Sequence, residues 1–210
     1  MKALLHPTYF PNIASLTVLV QSEFIWEVWD NYQKQTFRNR CHITTDQGRH
    51  TLTIPIKHTG GDNGRQKYKE VRIDNSVNWQ RQHWRTLQTA YRTSPYFEFY
   101  EDHLAPLYTK KYDFLMDFNF DTIAFLLEHI SVETFGLKTG TFETNPAQVT
   151  DYRALATAKK GNIFSNTPYI QVFDDRNYFV TNASGIDLLF NEGTNALNYL
   201  QQLRPPSLHD

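Results

Sequence analysis

Apolar residues open the chain at Ala3, Leu4 and Leu5, and the run stops at His6-Pro7. Pro7 fixes its own φ and disfavours helix at His6, so the pattern predicts a short strand over 3–5 that leaves through "HPTYFPN" at 6–12. Asn12 is of a helix-capping type and precedes "IASLTVLVQ", which predicts a helix. "EFIWEVWD", at 23–30, is rich in aromatic and branched residues and predicts a largely buried strand. Strand, turn, helix and strand in that order predict a crossover between parallel strands. Residues 6–11 then lie at the carboxyl end of the first strand, where open α/β sheets bind ligands.

The alternating segments "RCHITT" and "RHTLTIPI" flank Asp46-Gln47-Gly48 and predict a β-hairpin. "KHTGGDNGRQK", at 57–67, lacks the spacing of a phosphate-cradling loop and is expected to form a mobile loop, with a lid as one role open to it. "KEVRID", at 69–74, predicts another strand. Asn78 can cap a helix over 79–92, closed by Ser94-Pro95. One face of that helix carries Trp79, His83, Leu87, Ala90 and Tyr91; another carries Arg81, Arg85, Gln88 and Arg92.

The text from 96 to 119 is aromatic and partly helical. A buried helix is predicted over 120–135 with Gly136 as its stop, followed by a return to the sheet at "TGTFET". Residues 145–169 lack clean periodicity and predict loops and short turns, whereas "YIQVF", at 169–173, predicts a strand. Ser184 can cap "GIDLLFN", Gly193 can stop it, and a last helix is predicted from Thr194 to Leu203 before Pro205-Pro206. The whole predicts a single α/β domain over 1–203 and a tail at 204–210. Its mixed sheet has an N-terminal strand-turn-helix-strand unit, an antiparallel hairpin and packed helices.

Composition narrows the function classes. The 210 residues are 40% hydrophobic and 20% charged, with a formal net charge of -1. That balance gives no global attraction to nucleic acid or anionic membrane, and no RNA-binding motif accompanies the arginines of the 79–92 helix. Cys41 is the single cysteine, which excludes an intramolecular disulfide. The opening reaches His6-Pro7 too soon for a signal-peptide core and no run has the length of a membrane span, so a cytoplasmic protein is expected. The eight histidines show no paired metal-ligand spacing, and no metal site is expected. No motif names a cofactor.

Four ordered strings resemble the WbqC-like protein family: "PTYFPNI", "YQKQTFRNR", "HWRTLQTAYRTSPYF" and "ASGIDLLFNEG". Pro7, Tyr9, Phe10 and Pro11 match a proline and aromatic turn, with His6 where the family often has glutamine. Tyr32, Lys34, Phe37, Asn39 and Arg40 match the second motif, and Asp30 stands where an acidic pair is frequent. His83, Tyr91, Pro95 and Phe97 match the third; Ser184, Asp187, Asn191 and Gly193 fall in the fourth. Such proteins are associated with surface-polysaccharide gene clusters. The resemblance therefore implies a surface-polysaccharide setting, and the residues are expected to serve an enzyme of O-antigen-like biosynthesis acting on a phosphorylated or nucleotide-activated sugar, acyl or aminoacyl transfer to an amino sugar being one reaction that a base and a held donor would allow. The alternative is a noncatalytic protein that binds such precursors or the enzymes that process them.

With that resemblance, Lys34, Arg38, Asn39 and Arg40 suit a phosphate or carboxylate, Arg40 being expected to contact it directly. Tyr32 and Phe37 would cover an attached ring, while Tyr9 and Phe10 divide between packing and pocket wall. Without it, the same run is a solvated turn. His6 is either a general acid or base at the strand end or a histidine bonded to loop backbone. His83 is either a site residue or a satisfied core histidine. Asp187, in a first helical turn, is favoured by the helix amino end and could orient Arg40 or a substrate hydroxyl, with Asn191 in the same structural set.

Overall fold

The computed structural model describes residues 1–57, 66–133, 135–158 and 164–207. Strand β1 (Lys2–Leu5) is buried at its three apolar positions and ends where His6-Pro7 begins. Helix α1 (Ile13–Gln21) follows, and the Asn12 side chain caps it by accepting from the Ser15 N–H at 2.9 Å. The chain returns as β2 (Phe24–Trp26), parallel to β1 with Leu4 opposite Ile25.

Two further strands complete this sheet. β5 (Leu137–Lys138) pairs with β2 and β6 (Val149–Asp151) pairs with β1, all parallel, in the order β5-β2-β1-β6. The antiparallel hairpin forms a ladder of its own between β3 (Arg40–Thr45) and β4 (Gly48–Thr53). Its turn uses Gly48 at φ 81°, a left-handed conformation that costs glycine little.

Helices α2 (Trp79–Tyr91), α3 (Phe97–Thr109), α4 (Leu115–His129), α5 (Gly185–Glu192) and α6 (Ala196–Gln202) complete the α/β fold. Short 3₁₀ turns at Tyr68–Glu70, Arg153–Ala156 and Gly193–Asn195 link them. Helix α2 buries the predicted face of Trp79, His83, Leu87, Ala90 and Tyr91. One cluster of buried side chains runs from Ala3 to Leu203 and draws on the sheet, the hairpin and the helices.

Several expected elements differ. Residues 69–74 form a turn and single bridges from Ile73 to Ile56 and from Arg72 to Phe114, because their backbone groups bond separate neighbours instead of one strand. The 169–173 stretch is irregular: the Gln171 side chain donates to Val180 O and accepts from Val180 N, taking the place of a ladder partner. Phe173 then turns to φ 64°. The expected helix over 120–135 starts earlier and ends at His129, since Ser131 at φ 62° redirects the chain before Gly136. The return to the sheet comes at 137–138, just ahead of the expected 139–144, and β6 lies where only loops were expected. Neither Ser184 nor Asn78 makes a side-chain capping bond. The expected last helix begins as the 3₁₀ turn and continues as α6. The expected loop at 57–67 lies, for 58–65, outside the described residues.

Candidate functional site

The carboxyl ends of three parallel strands open into one cavity of about 730 Å³. His6 leaves β1, Asp30 follows β2, and Asp151 is the last residue of β6, so the topology itself converges these side chains. Tyr32, Arg38 and Arg153 complete its polar wall.

At the base of the cavity His6 is enclosed by acceptors. Its Nε2 lies 3.1 Å from Asp30 Oδ2 and its Nδ1 lies 3.3 Å from the Glu27 carbonyl oxygen. Burial is the main cause that lowers the imidazole to about 4; the Arg38 charge adds to it, and Asp30 and the Glu27 carbonyl oppose it. At neutral pH the ring is therefore neutral and carries one proton for two facing acceptors. Its side chain is 1% exposed, whereas that of Asp30 is 12% exposed, so the member of the pair that a ligand reaches is Asp30.

Burial alone would raise the Asp30 carboxyl, but bonds from His6 and from the Asn31 N–H, with the charge of Arg38, hold it below the usual range. Arg38 Nη2 lies 3.2 Å from Asp30 Oδ2. The Arg38 residue is 2% exposed and its guanidinium stands 5.4 Å from the centre of the Tyr68 ring. Tyr68 is fixed in turn, donating to Pro7 O at 2.6 Å and accepting from Asn119 Nδ2 at 2.6 Å. Arg38 Nε is buried and has no partner among the described residues.

Arg153 plays a different part. It grips Asp151 through Nε and Nη2 and donates to the Glu143 and Thr144 carbonyls, so its fork is engaged in holding the far wall. Glu27 lies behind it; burial pushes its carboxyl up, against the Trp29 N–H and Thr139 hydroxyl that bond it.

Among the residues singled out from sequence, His6, Asp30, Tyr32 and Arg38 meet in this cavity. Lys34 is exposed and is not part of the lining. Arg40 opens the hairpin opposite Thr53 and is half-buried outside the lining, so the cation of this run that reaches the cleft is Arg38. Asn39 donates to Ile54 O, and Phe37 packs edge-on against His42; both tie the run to the hairpin. Tyr9 and Phe10 are core residues, with the Tyr9 hydroxyl 3.0 Å from His83 Nδ1 and 2.9 Å from the Tyr108 hydroxyl. His83 is thus a core histidine, lowered to about 4 chiefly by burial.

Asp187 is fully buried and accepts from the Tyr91 and Tyr169 hydroxyls, Gln171 Nε2 and the Thr44 N–H, while Asn191 donates to its carbonyl. Sequence reasoning missed Asp151 and Arg153, which lie where β6 ends and the 3₁₀ turn after it begins.

The chain matches the model of the WbqC-like protein family over residues 6–160. That stretch contains every residue lining the cleft and stops short of the string at 183–193. The chain is also similar to the uncharacterized protein Rv1507c of Mycobacterium tuberculosis, 35% identical over 105 residues. That similarity covers 49% of this chain and 41% of the relative, so the chain matches less than half the length of that protein. No solved structure matches the chain.

Proposed function

The chain belongs to the WbqC-like protein family, and from that premise we propose that it is a cytoplasmic enzyme of surface-polysaccharide assembly. In this reading it acts on a phosphorylated or nucleotide-activated amino sugar held in the His6 cleft. The observation that carries the reading is the Asp30–Arg38 pair at the strand ends, both residues lining the cleft. The carboxylate accepts from an amine or hydroxyl, and the guanidinium donates to a phosphate oxygen. Other enzymes of the same assembly would supply the precursor.

The reaction is acyl or aminoacyl transfer to the sugar nitrogen. The nitrogen attacks the donor carbonyl, the C–N bond forms, and the leaving group departs with its electron pair. The nitrogen's proton passes to the His6–Asp30 pair, which shares it as one titrating unit. One observation favours a second reading, a noncatalytic precursor-binding protein: the bonds that hold Asp30 low make it a weak base.

Thermal stability in the presence of glucosamine 1-phosphate, glucosamine and glucose 1-phosphate tests the ligand class. The compound bearing both groups is expected to stabilise most, and no response to either phosphorylated sugar rejects both readings. Mass spectrometry of the same mixtures with acyl-coenzyme A donors then separates the two. Acylated amino sugar supports the enzyme; binding without product supports the noncatalytic reading.

A further inference from the structure

At the far end of β3 from Arg38, a second cavity of about 370 Å³ lies between Thr44 and the irregular segment 168–179. Most of this segment's lining lies beyond residue 160, outside the stretch that matches the family. We propose that this cavity is a second binding site, built for an uncharged saccharide ring.

Three observations converge on that ligand class. Thr44, 1% exposed, lines the cavity, and its hydroxyl is buried without a partner among the described residues. The hydroxyl is shielded from solvent, so Thr44 gives the floor of the cavity a polar residue under its surface, which suits a sugar better than an acyl chain. The walls include the rings of Phe173, Tyr178 and Phe179, flat apolar faces of the kind that pack against the C–H face of a sugar. Tyr178 stands at the rim at 99% exposure, beside Ile170 at 73%, so two large side chains are offered to solvent with no packing role.

Charge excludes the competing ligands. Asp174 is the single charged side chain in the described lining, and it repels phosphate and carboxylate. Asn177 has both amide protons directed to the Thr45 and Asp46 carbonyls, which leaves its oxygen as an acceptor for ligand hydroxyls. Phe173 is held at φ 64°, a conformation rare for an aromatic residue, and the segment is anchored from behind by the Tyr169 and Gln171 bonds to Asp187. The pocket is therefore preformed, and it stands apart from the His6 cleft and from the reading of that cleft.

Saturation-transfer NMR on the full chain with the methyl glycosides of glucose, galactose, mannose and N-acetylglucosamine tests the proposal. Transfer to the ring protons of at least one glycoside is expected. Tyr178→Ala is expected to weaken it about ten-fold, the scale of one lost stacking contact. Tyr178→Ala removes an exposed ring and leaves the fold intact. No transfer from any of the four glycosides overturns the proposal, as does undiminished transfer in Tyr178→Ala. Transfer confined to an apolar control, hexanol, overturns it too.

Discussion

His6 Nε2 stands 3.1 Å from Asp30 Oδ2, so residues leaving two different strands of one sheet form a single hydrogen-bonded pair at its edge. The pair makes stability depend on acidity. The ordinary value of the His6 ring is 6.5 and burial brings it to about 4 in the fold. Between these values the unfolded chain binds a proton that the folded chain does not, so stability falls as the pH is lowered from 6.5 towards 4. His6 alone contributes a loss of about 3 kcal/mol across that window. In His6→Gln the loss should be shallower, with part remaining because His42 and His83 are also lowered to about 4. Urea unfolding on both sides of the window measures it; an unchanged slope in the variant rejects the assignment.

Arg38 and Arg40 should separate cleanly in ligand binding. Arg38→Lys keeps the charge beside Asp30 but removes the guanidinium fork, and glucosamine 1-phosphate should bind about ten-fold more weakly. Arg40→Ala, outside the cleft lining, should stay within about two-fold of wild type. Titration calorimetry with the two variants decides; the reverse order would return the anion site to Arg40.

Asp187→Asn should destabilise the fold by about 2–4 kcal/mol, because a carboxylate fed by four donors acquires an amide that faces some of them. Chemical denaturation reads the loss. A stability within error of wild type would mean that this buried set does not support the fold.

Gly185 sits where α5 meets α1. A Cβ there would fall 2.2 Å from Leu16 Cδ1, 3.0 Å from Leu126 Cδ1 and 3.2 Å from Pro11 O. Gly185→Ala should cost about 1–3 kcal/mol by overpacking. A melting temperature equal to wild type would show that the helices separate without penalty.

We propose that residues 1–203 fold as one domain, since one cluster of buried side chains spans Ala3 to Leu203. Urea unfolding followed by tryptophan fluorescence and by far-ultraviolet dichroism should then give coincident transitions. Two separated midpoints would divide the chain.

The elements legible in the sequence are those with their own periodic pattern or cap. Asn12 announces α1, the two-faced repeat of Trp79, His83 and Leu87 announces α2, and alternation around Asp46-Gln47-Gly48 announces the hairpin. Strand β6 is three half-buried residues whose only reason to be a strand is β1 beside it, so tertiary pairing decides it. The same limit applies to the site. The rule for strand carboxyl ends located His6, but the choice of Arg38 over Arg40 depends on where the hairpin begins; Asp151 ends the illegible strand and Arg153 opens the turn after it. Within "HPTYFPN", His6 faces the cleft. The corner behind it is fixed by Tyr68 on Pro7 O, the Gly185 N–H on Pro11 O and the Tyr9 N–H on Phe37 O.

Strand β1 pairs on one side with residues 24–26 and on the other with residues 149–151. During synthesis, at roughly 5–20 residues per second, the second partner emerges on the order of ten seconds after the first. Throughout that interval the nascent chain carries His6, Asp30 and Arg38 without the wall that Asp151 and Arg153 build. The cleft is closed on its far side only when β6 docks, so a ribosome-bound chain keeps an open-sided cleft until residues 149–151 have emerged.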